Sequence, residues 1–252
     1  MPINFTQIIK DSFHFMQNEK RNIIVLCALY FFADIIMVLL QSAMLPNEIL
    51  VSLSNNQISS AISEEQGISL VTFFFLKQFI YIFISAWCLI TIHQISLRQF
   101  STVLQSFAST LKRIWGALLL SFLIFIPILV GLTEAMIAIQ QKVQPSIISL
   151  FAIIIGIGLY IRLCLAPVHY LLTDAGISAS AKITWRAALG RATVLFIFCL
   201  LIYVLVPLAE SFLISLSSNA IMAVITGIIA ALINVFALVV TYRFYTLFIA
   251  KA

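Results

Sequence analysis

Ile23-Ile-Val-Leu-Cys-Ala-Leu-Tyr-Phe-Phe-Ala-Asp-Ile-Ile-Met-Val-Leu-Leu-Gln-Ser-Ala-Met-Leu45 contains a single charge, Asp34, and is followed by Pro46. As a helix rising 1.5 Å per residue it spans the roughly 30 Å of a bilayer's hydrocarbon core. Lipid offers a backbone no hydrogen-bond partners, so a run of this kind crosses as a helix that satisfies its own N–H and C=O groups. Five further runs of the same kind lie downstream. The predicted spans cover about 23–45, 70–92, 114–139, 147–172, 194–216 and 221–240. The whole chain is 63% hydrophobic and 9% charged, where soluble domains average about a quarter charged. The fold class is therefore an all-α polytopic membrane protein. Residues 1–252 form one integral membrane domain, because no connection is long enough to bury a separate core.

The scarce charges carry the topology. The N-terminal segment holds Lys10, Lys20 and Arg21, and the second-to-third connection holds Arg98, Lys112 and Arg113. The fourth-to-fifth connection holds Lys182, Arg186 and Arg191, and the C-terminal end holds Arg243 and Lys251. The opposite connections hold only Lys142, and the longest of them is acidic, with Glu48, Glu64 and Glu65. Short Lys- and Arg-rich loops stay in the cytoplasm. The expectation is a bacterial inner-membrane, multi-pass protein with both termini cytoplasmic and no cleaved signal peptide. The net charge of +5 is spread around span ends. Such dispersion suits anionic lipid headgroups and not nucleic acid.

The basic connections read as short amphipathic cytoplasmic helices. Phe5, Ile8, Ile9, Phe13 and Met16 recur at helical spacing opposite Lys10, Gln17 and Lys20. Phe100, Leu104, Phe107 and Leu111 share a face in the second connection, and Ile183, Ala187 and Leu189 do so in the third. Helices of this kind lie in the headgroup plane, or simply connect spans. Taken as starting points, they divide the chain into a threefold repeat of helix plus two spans. Ile128-Leu-Val-Gly-Leu-Thr-Glu134 resembles Val204-Leu-Val-Pro-Leu-Ala-Glu210, and Phe32-Ala-Asp34 echoes the apolar-small-acid ending.

Five Asp, Glu, Lys or Arg residues fall inside the spans: Asp34, Lys77, Glu134, Arg162 and Glu210. An ionised group at mid-span costs about 2.5–3.5 kcal/mol on insertion scales, so each needs a partner, water or neutralisation. Two readings stay open. Asp34, Lys77, Glu134 and Glu210 line a water-filled cavity open to the outside, or they pair and hold the helices together. Arg162 lies in the inner half and can snorkel toward the cytoplasm. The polar cluster is thus the candidate site.

Metal, cofactor and catalytic patterns are missing. His14, His93 and His169 are not spaced as ligand pairs, and Cys27, Cys88, Cys164 and Cys199 fall in separate runs. No phosphate-binding glycine loop, nucleophile elbow or His-Glu-x-x-His occurs. No cofactor, no metal and no enzymatic activity are expected. Pro127, Pro167 and Pro207 break or kink spans. Ala223, Gly227 and Ala231 give the sixth span a small-residue face that suits packing within the bundle or dimerisation.

Leu165-Ala-Pro-Val168, Asp174-x-Gly176, Ile183-Thr-Trp185 and the terminal Tyr242-Arg-Phe-Tyr245 resemble the YciC-like inner-membrane proteins of gamma-proteobacteria. The resemblance implies an inner-membrane location and adds no activity. Two functions compete on the sequence. The first is a non-enzymatic membrane-organising or lipid-interacting role, with membrane lipids as partners at the cytoplasmic face. The second is a small transporter or channel that uses the intramembrane polar cluster.

Overall fold

The computed structural model describes residues 4–45, 64–99, 103–216 and 219–250. Most of the acidic connection, including Glu48, lies outside them, as do Phe100 and Lys251. All regular structure among the described residues is helical. In chain order the elements are α1 (Phe5–Asn18), α2 (Lys20–Met44), α3 (Glu64–Ser96), α4 (Val103–Gln140), α5 (Ile147–Leu163), α6 (Ala166–Leu172) and α7 (Ile177–Ala188). They continue with α8 (Ala192–Cys199), a π-helical turn (Leu200–Leu205), α9 (Val206–Ser215) and α10 (Ala220–Ala250). Among the described residues, six helices or helix pairs are long and apolar enough to cross a membrane: α2, α3, α4, α5–α6, α8–α9 and α10.

Local chemistry sets the boundaries. Asn4 starts α1 by accepting from the N–H groups of Thr6 at 3.1 Å and Gln7 at 3.4 Å. Ser146 caps α5 through the Ser149 N–H at 3.2 Å. Pro167 sits in the first turn of α6, where its missing N–H costs nothing, and it divides the fourth span. Pro207 plays the same part at the start of α9. The π-helical turn lies just before it, on the side where the proline ring would otherwise meet the carbonyl of Tyr203. Gly190, at φ +73°, makes the left-handed turn from α7 into α8.

The spans close into a ring. α2 packs on α3, α3 on α4, α4 on α5, α5 on α8, α9 on α10 and α10 back on α2. α10 also touches α3 across the ring. The α4–α5 contact is close because neither Gly131 nor Gly156 has a side chain. A Cβ on Gly156 would stand 2.9 Å from the Ile128 backbone nitrogen. The small-residue face of α10 is used within the bundle: Gly227 lies against Phe31 of α2, and Ala231 is buried. No span buries more than a third of its most apolar stretch, so most of the outer surface is hydrocarbon, as a lipid-facing bundle requires.

One amphipathic prediction changes form. The second segment is not a separate helix: α4 runs unbroken from Val103 to Gln140, because nothing between Leu111 and Ile114 breaks a helix. Its first turns still pack on the preceding span, with Phe107 5.0 Å from Trp87 and Ser106 donating to Gln94 at 2.7 Å. The same relation recurs around the ring. α7 packs on α5–α6, and α1 packs on α10. At each of the three contacts the leading segment buries a serine completely: Ser12, Ser106 and Ser180. Three units thus pack head to tail around the ring.

Candidate functional site

The ring has two unlike ends. One carries α1, the C-terminus of α3 and the N-terminus of α4, α7 and the C-terminal turns of α10, and nearly all the described basic residues; this is the basic end. The other is the far end.

Of the five intramembrane Asp, Glu, Lys and Arg residues, three come together in the far half. Asp34 on α2 accepts a hydrogen bond from the Tyr81 hydroxyl on α3. Lys77, one turn before Tyr81, places its Nζ 6.0 Å from the centroid of that ring. Glu210 on α9 accepts from the Asn234 amide on α10, which also donates to the Ala230 carbonyl at 3.3 Å. Asp34, Lys77 and Glu210 lie within electrostatic reach of one another. One turn toward the basic end, Tyr30 and Ser85 hydrogen-bond at 2.6 Å and join α2 to α3 again.

Glu134 is half-buried on α4 and makes no hydrogen bond or ion pair with another described residue. Arg162 stands apart in the basic half, its guanidinium carbon 4.8 Å from the centroid of Trp185 on α7. Tyr81 and Asn234, the neutral partners of the carboxylates, escaped sequence reasoning. Asn234 was visible as a lone amide in an apolar run; its rotation toward Glu210 was not.

The basic end is where side chains converge. Phe244 of α10 stacks on Phe198 of α8 at 4.2 Å and on Phe5 of α1 at 5.7 Å. Its neighbours on α10 bind other spans: Tyr242 meets His93 of α3 at 3.2 Å, and Tyr245 meets His169 of α6 at 2.7 Å. Arg243 lies over the Phe15 ring at 5.1 Å, and Arg191 donates to the Phe248 carbonyl at 3.4 Å. Arg113 reaches the end of α6, donating to the carbonyls of Tyr170 at 3.3 Å, Leu171 at 3.4 Å and Thr173, and pairing with Asp174. A cation there satisfies carbonyls that a helix C-terminus leaves open and opposes its negative dipole end.

The basic residues therefore split in two. Arg113, Arg191, Arg243 and Arg162 are half-buried and engaged inside the protein. Lys10, Lys20, Arg21, Arg98, Lys112, Lys182 and Arg186 are exposed around the rim.

The amphipathic helices divide their apolar residues in the same way. On α1, Ile8, Ser12 and Phe15 face the bundle, while Ile9 and Phe13 remain 39% and 55% exposed beside the polar face. On α7 the packed face is small and polar, with Ser180, Thr184, Ala187 and Ala188. Ile183 and Leu189, which the sequence places on one face with Ala187, are 41% and 57% exposed, whereas Ala187 is buried. The close approach of α7 to α5 and α6 favours small residues inward, and the larger ones point away.

No group of three or more His, Cys, Asp or Glu side chains that could hold a metal occurs among the described residues.

Six membrane-length helices, an apolar outer surface and one basic rim define a multi-pass integral membrane protein. The chain belongs to the family of an uncharacterised protein of Haemophilus influenzae, a gamma-proteobacterium. The two are 39% identical over 251 residues, which is 98% of this chain and 99% of that one. No protein-family profile matches the chain. No solved structure matches it.

Proposed function

We propose that this is a YciC-like protein of the bacterial inner membrane, with both termini in the cytoplasm. Its role is a non-enzymatic one: to bind and organise anionic lipids of the inner leaflet. The carrying observation is the rim of Lys and Arg side chains, seven of them exposed among the described residues, at one end of the bundle. Each such residue adds about 1 kcal/mol of attraction to an anionic surface, falling with salt. The exposed Ile9 and Phe13 on α1, and Ile183 and Leu189 on α7, lie close to these cations in the sequence. Together they give the helices the apolar flank and basic edge of an interfacial helix.

Extraction of the protein with its surrounding lipid, followed by lipid analysis, tests this reading. Phosphatidylglycerol and cardiolipin are expected above their bulk proportion, and Gln replacement of Lys10, Lys20, Arg21, Lys182 and Arg186 lowers the enrichment. Bulk proportions around the wild-type protein overturn it. Reporter fusions at either terminus test the orientation separately.

A second reading has its own support. Asp34, Lys77 and Glu210 are drawn within electrostatic reach inside the span region, and each carboxylate is hydrogen-bonded to a neutral side chain. Such a group suits the passage of a proton or small cation. Proton or cation flux into proteoliposomes that disappears in Asp34→Asn and Glu210→Gln supports it; no flux in the wild type removes it.

A further inference from the structure

Among the described Lys and Arg residues of the basic half, Arg162 and Arg243 neither cap a helix nor lie on the exposed rim, and of the two Arg162 stands beside a groove. Its guanidinium lies over Trp185 and makes no hydrogen bond or ion pair to another described residue. A guanidinium carries five N–H donors, and a contact with one ring leaves donors over for an acceptor. A half-buried guanidinium at the edge of an apolar surface, with no protein acceptor among the described residues, is open to an acceptor from outside the protein.

The surroundings supply a place for one. Arg162 lines a groove of about 330 Å³ between α5 and α8, with Gly158, Ile161, Ala192, Thr193 and Phe196. The wall at Gly158 faces open space, since nothing stands within 4 Å of where its Cβ would be. Phe196 is 52% exposed, so the groove opens on the lipid-facing surface. Depth fixes the chemistry at each end. Trp185 belongs to α7, whose exposed Lys182 and Arg186 mark the headgroup level, so the guanidinium sits at that level although its Cα is deeper. From there the groove descends along apolar residues toward mid-membrane.

We propose that this groove binds one anionic phospholipid. Its phosphate oxygens accept from Arg162 and the Thr193 hydroxyl, and an acyl chain runs past Gly158 and Phe196. The planar fork of Arg matches two phosphate oxygens, which a lysine at this position would not. The net negative headgroup is selected by the guanidinium together with Lys182 and Arg186 close by on α7. The proposal deepens the lipid-binding reading and rests on it for the identity of the ligand class: it assigns one stoichiometric site, distinct from general attraction at the rim.

Native mass spectrometry of the full-length protein, delipidated and titrated with phosphatidylglycerol, tests it. Phosphatidylethanolamine and inorganic phosphate serve as separate probes. The wild type is expected to retain one phosphatidylglycerol and to discriminate against phosphatidylethanolamine, with no competition from inorganic phosphate. Arg162→Gln weakens that binding at least about tenfold. Gly158→Leu does the same by filling the groove while leaving the Arg162–Trp185 contact in place, so loss of the guanidinium and loss of the space are read independently.

Either variant, folded and holding phosphatidylglycerol as the wild type does, overturns the site. Equal retention of phosphatidylethanolamine, or displacement by inorganic phosphate, overturns the ligand class. The two readings fail differently: Arg162→Gln leaves bulk anionic enrichment at the rim intact. A single lipid lost in Arg162→Gln without any bulk enrichment supports the site and removes the rim.

Discussion

The two ends of the ring are built by different means. At the basic end Phe198, Phe244 and Phe248 are fully buried, and α10 joins α1, α3, α6 and α8 through stacked rings, two His–Tyr hydrogen bonds and engaged arginines. In the far half the buried cluster shrinks to Met37, Leu45 and Phe73, and the spans are tied by single polar contacts, Tyr81 to Asp34 and Asn234 to Glu210. Lipid tails are as apolar as leucine, so burying a side chain between spans gains little from hydrophobicity alone. Tight shape and satisfied polar groups must hold a membrane bundle together. The basic end, with amphipathic helices to enclose it, has both. Apart from the close α4–α5 approach at Gly131, the far end has mainly the polar contacts.

That contrast sets an order of effects. Phe244→Ala empties the centre of the basic end between Phe198, Phe5 and Phe248; such truncations cost roughly 3–5 kcal/mol. Thermal unfolding in detergent should show the largest drop of any single substitution here, and a near-neutral outcome would break the comparison outright.

Arg113→Gln comes next, because it withdraws a charged donor from three carbonyls at the end of α6, at about 1.5–3 kcal/mol for hydrogen bonds to a charged group. Asp174→Asn separates that capping role from the ion pair. The Asp174 side chain is 99% exposed, so no measurable change in melting temperature is expected. Equal losses in the two variants would reassign the effect to the salt bridge.

The smallest effect belongs to the far half. Asp34→Asn keeps an acceptor for Tyr81, and polar contacts between spans average about 0.6 kcal/mol, so stability should barely move. A loss as large as that of Phe244→Ala would make the far cluster the structural centre of the protein.

Much of this was legible in residue order. Apolar run length marked six crossings, and the basic segments marked the rim. Boundaries drifted where hydropathy and helicity part company. The sixth span was predicted to end near Val240, yet α10 continues to Ala250, since Tyr242, Arg243 and Tyr245 lower the hydropathy without weakening a helix packed on α1, α3 and α6. The fourth span divides at Pro167 as proline chemistry implies, while the π-helical turn before Pro207 had no signature of its own.

The candidate site was legible only in its charges. Asp34, Lys77 and Glu210 could be named from the sequence. Which of them meet depends on helix rotation, set by packing that an apolar alphabet does not encode; Glu134 looked equivalent to Glu210 and has no Asn234 opposite it. The sequence marks Arg162 as a snorkelling residue; its ring partner Trp185 and the groove beside it are set by the fold.

The central claim is that the basic end of this protein engages an anionic leaflet. Its most direct test is the melting temperature of the purified protein in nanodiscs of rising phosphatidylglycerol content in phosphatidylcholine. A ligand that binds the folded state raises the transition with its concentration. The expected result is a melting temperature that climbs with the anionic fraction. The rise shrinks in high salt and in the variant with Lys10, Lys20, Arg21, Lys182 and Arg186 replaced by Gln. A melting temperature indifferent to phosphatidylglycerol at low salt would contradict the account.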